Sequence, residues 1–88
     1  MDWTIKWEEH AFKELKKLDK AAQREILRYF NERIATDKNP RRFGKALTAN
    51  KSGLWRYRVG DFRMICQIQD HELVVLVLRV AHRRLVYR

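Results

Sequence analysis

The sequence predicts an α+β fold, helical in its first half and strand-rich in its second. Apolar residues recur at helical spacing between residues 8 and 36. Residues 54–59 (Leu-Trp-Arg-Tyr-Arg-Val) alternate strictly between apolar and polar, the period of a strand with one buried face. Gly60-Asp61 then separates this run from a second one, where a two-residue hairpin turn with Gly at its first central position belongs. The 88 residues suit one domain, expected over 1–88.

From the N-terminus, residues 2–7 alternate and read as a strand. Residues 8–18 place Ala11, Leu15 and Leu18 at helical spacing. Asp19 is suited to cap a second helix over about 20–36, whose stripe is Ala22, Ile26, Phe30 and Ile34. The two helices form a hairpin with charged outer faces, and Asn39-Pro40 ends it. Residues 39–53 read as a linking segment. Residues 62–69 form the second strand of the hairpin, Asp70-His71 a looser turn, and residues 72–80 a third strand. That strand is almost wholly apolar, as a central strand covered on both faces is.

The hairpin turn fixes the register. Val59 faces Phe62, Arg58 faces Arg63, Tyr57 faces Met64 and Trp55 faces Cys66. One face collects Trp55, Tyr57, Val59, Phe62, Met64, Cys66 and Ile68, a core face on which the helical hairpin can pack. The other carries Arg56, Arg58 and Arg63. The opposed like charges of Arg58 and Arg63 cost up to about 1 kcal/mol. A phosphate between them would convert that repulsion into two charge-assisted contacts. Arg83 and Arg84 are expected to arrive beside the turn from the tail.

Charge supports an anionic partner. The formal net charge is +9 and the pI about 10.2. Seven of the eight basic residues after residue 50 are Arg, the side chain preferred for planar, bidentate phosphate contacts. A single Arg on an edge hairpin often only shields the edge from aggregation. Several converging from three segments call for a ligand. No apolar run approaches the roughly 20 residues of a membrane span, and Met1-Asp2-Trp3-Thr4 does not read as a signal peptide. The single cysteine, Cys66, excludes an internal disulfide, fits a reducing compartment and falls on the core face. The three His have no ligand spacing, so neither metal nor other cofactor is expected. No Ser-His-Asp set, carboxylate pair or phosphate-cradling Gly loop is present. The residues alone therefore indicate a phosphodiester-binding face. Any catalysis there would be transesterification or hydrolysis, driven by stabilising charge in the transition state.

Three stretches carry a family resemblance. They are Gly44-Lys45-Ala46-Leu47, the run from Ser52 to Arg63 (Ser-Gly-Leu-Trp-Arg-Tyr-Arg-Val-Gly-Asp-Phe-Arg), and Val80-Ala81-His82-Arg83-Arg84-Leu85-Val86-Tyr87-Arg88. With the opening strand and its Ala-Phe-Lys-Glu-Leu-Lys-Lys-Leu helix, they resemble the RelE/StbE branch of the RelE/ParE toxin superfamily over essentially the whole chain. The resemblance implies a RelE-like, microbial-ribonuclease-like fold, with the helical hairpin packed on an antiparallel sheet. It implies a toxin of a bacterial type II toxin–antitoxin system, cytoplasmic, that cuts mRNA in the ribosomal A site by 2′-hydroxyl attack, without metal. Its partners would be a cognate antitoxin, the ribosome and mRNA, with operator DNA reached only through the antitoxin complex and no membrane.

Residue by residue, the resemblance gives Arg56 and Arg58 as the basic pair of the first hairpin strand. It makes Arg63 and Arg83 stabilisers of the phosphorane, and Tyr87 a residue that orients or stacks on a nucleotide. His82, beside Arg83, is a second-rank candidate for proton transfer. Arg84, Arg88 and Lys51 join Arg56 and Arg58 as expected RNA or ribosome contacts. Where this chain has Arg56 and Arg58, the best-known members carry Lys; an Arg is a poor general base because it stays protonated. The chain stops at Arg88, where some relatives continue into a helix that meets the antitoxin. Two other functions are open on the same fold: a ParE-like poison of DNA gyrase, and a non-catalytic RNA- or antitoxin-binding module.

Overall fold

A computed structural model describes residues 1–47 and 53–86, excepting the side chains of residues 85 and 86. The chain runs β1 (Thr4–Trp7), α1 (Glu9–Lys16), α2 (Lys20–Tyr29), a π-helical turn (Phe30–Ile34), a 3₁₀ turn (Pro40–Arg42), β2 (Lys45–Ala46), β3 (Leu54–Val59), β4 (Phe62–Gln69), a 3₁₀ turn (Asp70–Glu72), β5 (Val74–His82) and the single turn α3 (Arg83–Val86). The strands form one sheet in the order β1-β5-β4-β3-β2. From β3 to β5 neighbours are antiparallel, as expected, and β2, inside the segment read as a linker, adds an antiparallel edge strand on β3. The N-terminal strand joins the same sheet, parallel to β5, with Thr4 opposite Val74 and Trp7 opposite Val77. The apolar β5 is thus central.

The helices form where their caps and stripes dictate. Asp19 Oδ1 accepts the Ala22 N–H at 2.8 Å and starts α2. Gln23 is buried because its amide closes the hairpin: Nε2 donates to the Leu18 carbonyl at 2.7 Å and the Lys16 carbonyl at 3.3 Å, satisfying groups the end of α1 leaves open. The stripe Ala11, Leu15, Ile26, Phe30 and Ile34 packs on Tyr57, Met64, Cys66, Val75, Val77 and Val80 of the sheet. Phe30 is central to this layer, meeting the rings of Trp7 and Tyr57 edge-on at 5.7 Å each.

The register between β4 and β5 steps between Ile65 and Cys66. Cys66 pairs with Val77, but Ile65 pairs with Arg79, so Leu78 is an extra residue in β5. The bulge reverses the side-chain alternation beyond it. Val80 joins Val77 in the core, and Arg79 and Ala81 turn to the face of Ile65 and Arg63.

Past Val77, β1 no longer covers the edge of β5, and α1 takes its place. Glu14 Oε1 accepts the Val80 N–H at 2.8 Å, and its carboxylate pairs with Arg79 Nε at 3.1 Å. Glu14→Ala should cost about 1–3 kcal/mol, because a partly buried ladder N–H loses its acceptor. Glu14→Gln, which keeps an acceptor oxygen, should cost less, and urea unfolding of the two variants separates the bond from the ion pair.

Candidate functional site

The hairpin has the register its turn implies: Val59 opposite Phe62, Arg58 opposite Arg63, Tyr57 opposite Met64 and Trp55 opposite Cys66. Gly60 takes φ +56°, the left-handed value the tight turn requires of its first central residue. Arg56, Arg58 and Arg63 therefore share one face, and together they line a cavity of about 290 Å³. Tyr29 and Phe43 form its aromatic wall, with Gly44 and Lys45 beside them.

Arg58 and Arg63 differ sharply in environment. Arg58 is exposed, while Arg63 is only 6% exposed. Arg63 Nη1 donates to the Gly60 and Phe62 carbonyl oxygens, each at 3.1 Å. These bonds fix the guanidinium against the turn. Among the described residues Arg63 has no carboxylate partner. Nor, among them, does any buried side-chain nitrogen lack a hydrogen-bond partner, so the rest of its donor edge reaches the cavity. A cation this enclosed, opposed by a second cation and without a carboxylate partner among the described residues, is costly to fold. It is also a rigid donor set prepared for an anion.

The wall of the cavity is strapped to the sheet. Asn39 Oδ1 accepts the Arg41 N–H at 2.9 Å and opens the 3₁₀ turn. Tyr57 Oη donates to the Pro40 carbonyl at 2.7 Å, and Trp55 Nε1 donates to the Phe43 carbonyl at 2.6 Å. Arg41 makes a bidentate pair with Asp70 at 2.8 and 2.9 Å, which holds the Asp70 carboxyl below its usual range. Burial raises the Tyr57 and Tyr29 phenols, so both stay protonated. Gly44, at φ +75°, lets the strap pass hard against β3.

The remaining candidates divide. Arg83 reaches the hairpin tip: its N–H donates to the Asp61 carbonyl at 2.8 Å, and its exposed guanidinium lies 3.8 Å from Asp61 Oδ1. Arg83 and Arg84 are exposed on α3 and do not line the cavity. His82 pairs with Phe62 across the sheet and meets its ring edge-on at 5.9 Å. It therefore lies on the opposite face from Arg58 and Arg63. Its Nδ1 accepts the Arg84 N–H at 3.3 Å. Lys51, Tyr87 and Arg88 lie outside the described residues. Cys66 is buried, its thiol pushed up by that burial, as its core position foretold. The aromatic wall has no signature in strand alternation. Its one local cue is Phe43 embedded in a basic run, Arg41-Arg42-Phe43-Gly44-Lys45.

Comparison with known proteins agrees with this architecture. Residues 5–87 match the family described as the ParE toxin of the type II toxin–antitoxin system parDE. The chain is 28% identical, over all of its length and 99% of the relative, to Toxin RelG of Mycobacterium tuberculosis (strain ATCC 25618 / H37Rv). Its fold superposes on a chain of the Mycobacterium tuberculosis RelBE2 toxin–antitoxin complex with a TM-score of 0.80, at 27% identity, covering 94% of this chain and 93% of that one. A chain of the intact E. coli RelBE complex shares the fold at a TM-score of 0.73 and 18% identity, covering 91% of this chain and 95% of that one. The chain belongs to the ParE toxin family, and is a RelE/ParE-superfamily toxin of a type II toxin–antitoxin system.

Proposed function

We propose that this toxin is a ribosome-dependent, metal-independent mRNA endonuclease that arrests growth by stopping translation. The observation that carries the reading is the buried Arg63 guanidinium, without a carboxylate partner among the described residues, opposite Arg58 on an arginine-lined cavity. In the reaction the 2′-hydroxyl oxygen attacks the adjacent phosphorus and gives up its proton. The bond from phosphorus to the 5′-oxygen then breaks, and that oxygen takes a proton. The products are a 2′,3′-cyclic phosphate and a 5′-hydroxyl. The pentacoordinate phosphorane carries extra negative charge on its equatorial oxygens. Arg63, already fixed by two carbonyls, meets that charge without reorganising, and Arg58 and Arg56 hold the strand.

Arg83, at the hairpin tip, adds an exposed cation from the open side. Tyr87 orients a nucleotide. His82 remains a second-rank proton carrier, since its ring packs on Phe62 on the face opposite Arg63. Arg84, Arg88 and Lys51 extend the contact to ribosome and RNA. The neutralising partner is a cognate antitoxin, as in the RelBE complexes, and operator DNA is engaged through that complex. The compartment is the bacterial cytoplasm; among the described residues no helix is long and apolar enough to cross a membrane.

In a translation extract, mRNA should be cut only when ribosomes are present, and intact mRNA beside folded toxin and active ribosomes would end this reading. The ParE description of the matching family supports a second one, a poison of DNA gyrase. Accumulation of cleaved gyrase–DNA complexes, with mRNA intact, would select it.

A further inference from the structure

A second charged layer backs the aromatic wall of the cavity. The Arg42 guanidinium lies 4.8 Å from the Phe43 ring centroid, and the Arg33 guanidinium lies 5.5 Å from it and 5.9 Å from that of Tyr29. Arg42 Nη2 donates to the Arg33 carbonyl oxygen at 3.3 Å, which ties the two segments together. Two cations thus share one ring. Both are exposed, and neither has a carboxylate partner among the described residues. This contrasts with Lys13, Arg41 and Arg79, which pair with Glu9, Asp70 and Glu14. Stacking on an aromatic fixes the plane of a guanidinium and leaves its N–H edge available. Phe43 also lines the cavity, so this shelf is continuous with the arginine face.

We propose that Arg33 and Arg42, braced on Phe43, form an outer phosphate-binding position for the RNA that enters the cavity. The proposal rests on the endonuclease reading. An anion between the two guanidiniums offsets their repulsion, as it does for Arg58 and Arg63. In the hollow beyond Arg33, Glu25 and Glu32 offset the charges of Arg28 and Arg33, so the uncompensated positive charge of the shelf lies on its Arg42 side. The phosphates belong to mRNA or to ribosomal RNA, two sources of one chemistry.

The test measures toxin affinity for ribosomes, with and without bound mRNA, across a salt series. Wild type should show a steep fall of log affinity with log salt. Arg33→Gln/Arg42→Gln should weaken binding about tenfold or more and flatten the slope by roughly 0.7–0.9 for each phosphate no longer neutralised. Arg33→Lys/Arg42→Lys should restore the slope, because the charge returns. Weakening confined to programmed ribosomes assigns the phosphates to mRNA; weakening in both samples assigns them to ribosomal RNA. Lys13→Gln, a cation on α1 paired with Glu9, is the control and should leave the slope alone. An unchanged slope in the Gln double variant, with Arg58→Gln flattening it, overturns the outer position and leaves the endonuclease reading standing. An effect from Lys13→Gln as large as that of the double variant also overturns it, since net charge alone would then suffice. A wild-type affinity insensitive to salt overturns both.

Discussion

Arg63→Met should cost two to three orders of magnitude in mRNA cleavage, the range about 10²–10³ for removing one preorganised donor from a developing anion, while leaving the protein at least as stable. The two halves of this result have one cause. Arg63 is buried, opposed by Arg58 and unpaired with any carboxylate among the described residues, so its charge opposes folding. Met fills similar space without charge. Relief of the opposed pair contributes up to about 1 kcal/mol, and an apolar replacement removes the desolvation cost as well. The two carbonyls that Arg63 Nη1 engages belong to Gly60, in an exposed turn, and Phe62, so water can replace part of what is lost. A gain of about 1 kcal/mol in a domain this small raises Tm by roughly 4–8 °C. Growth after induction and cleavage in a translation extract report activity; thermal unfolding reports stability. A variant that loses activity because it melts several degrees lower would show that Arg63 is structural.

Gly44→Ala should destabilise the chain by about 2–5 kcal/mol, enough to threaten a domain of this size. Two physical costs add. A left-handed backbone costs an L-residue about 1–2 kcal/mol, and Gly44 has φ +75°. Overpacking adds about 1–3 kcal/mol, because the new methyl would fall onto the Arg56 carbonyl oxygen, 2.7 Å from Trp55 Nε1 and 2.9 Å from Tyr57 Cδ1. These neighbours are backbone or hydrogen-bonded rings, so none yields cheaply. Gly60→Ala separates the two costs: Gly60 has φ +56° but nothing within 4 Å of an added methyl. It should lose only the conformational part. Equal destabilisation of the two variants, read from urea midpoints, would mean that close packing of the strap contributes nothing.

Much of this site is legible in the sequence because strand alternation and a Gly-first turn are local signals. They set the Arg58–Arg63 opposition, the core face from Trp55 to Ile68 and the cap at Asp19 without reference to any tertiary contact. What escapes depends on distant partners. Nothing near residues 2–7 announces a parallel neighbour about 70 residues away. The short β2 and the Phe43 wall form because Trp55 and Tyr57 side chains grip backbone carbonyls across the chain. The burial of Arg63 against the exposure of Arg58 arises from what each side chain reaches, not from alternation, which treats them alike. The bulge hides the face of His82, since a looser turn after Gln69 gives no register to extend.

That bulge has a further consequence. Leu78 works as a one-letter shift in the reading frame of β5: before it the cluster under the helices takes the odd-numbered Val75 and Val77, after it the even-numbered Val80. Removing one residue there would rethread Arg79 and Ala81 toward the core and turn Val80 outward. The end of β5 can therefore change its letters more readily than its length, and selection acting on this toxin has substitutions to explore there but few deletions.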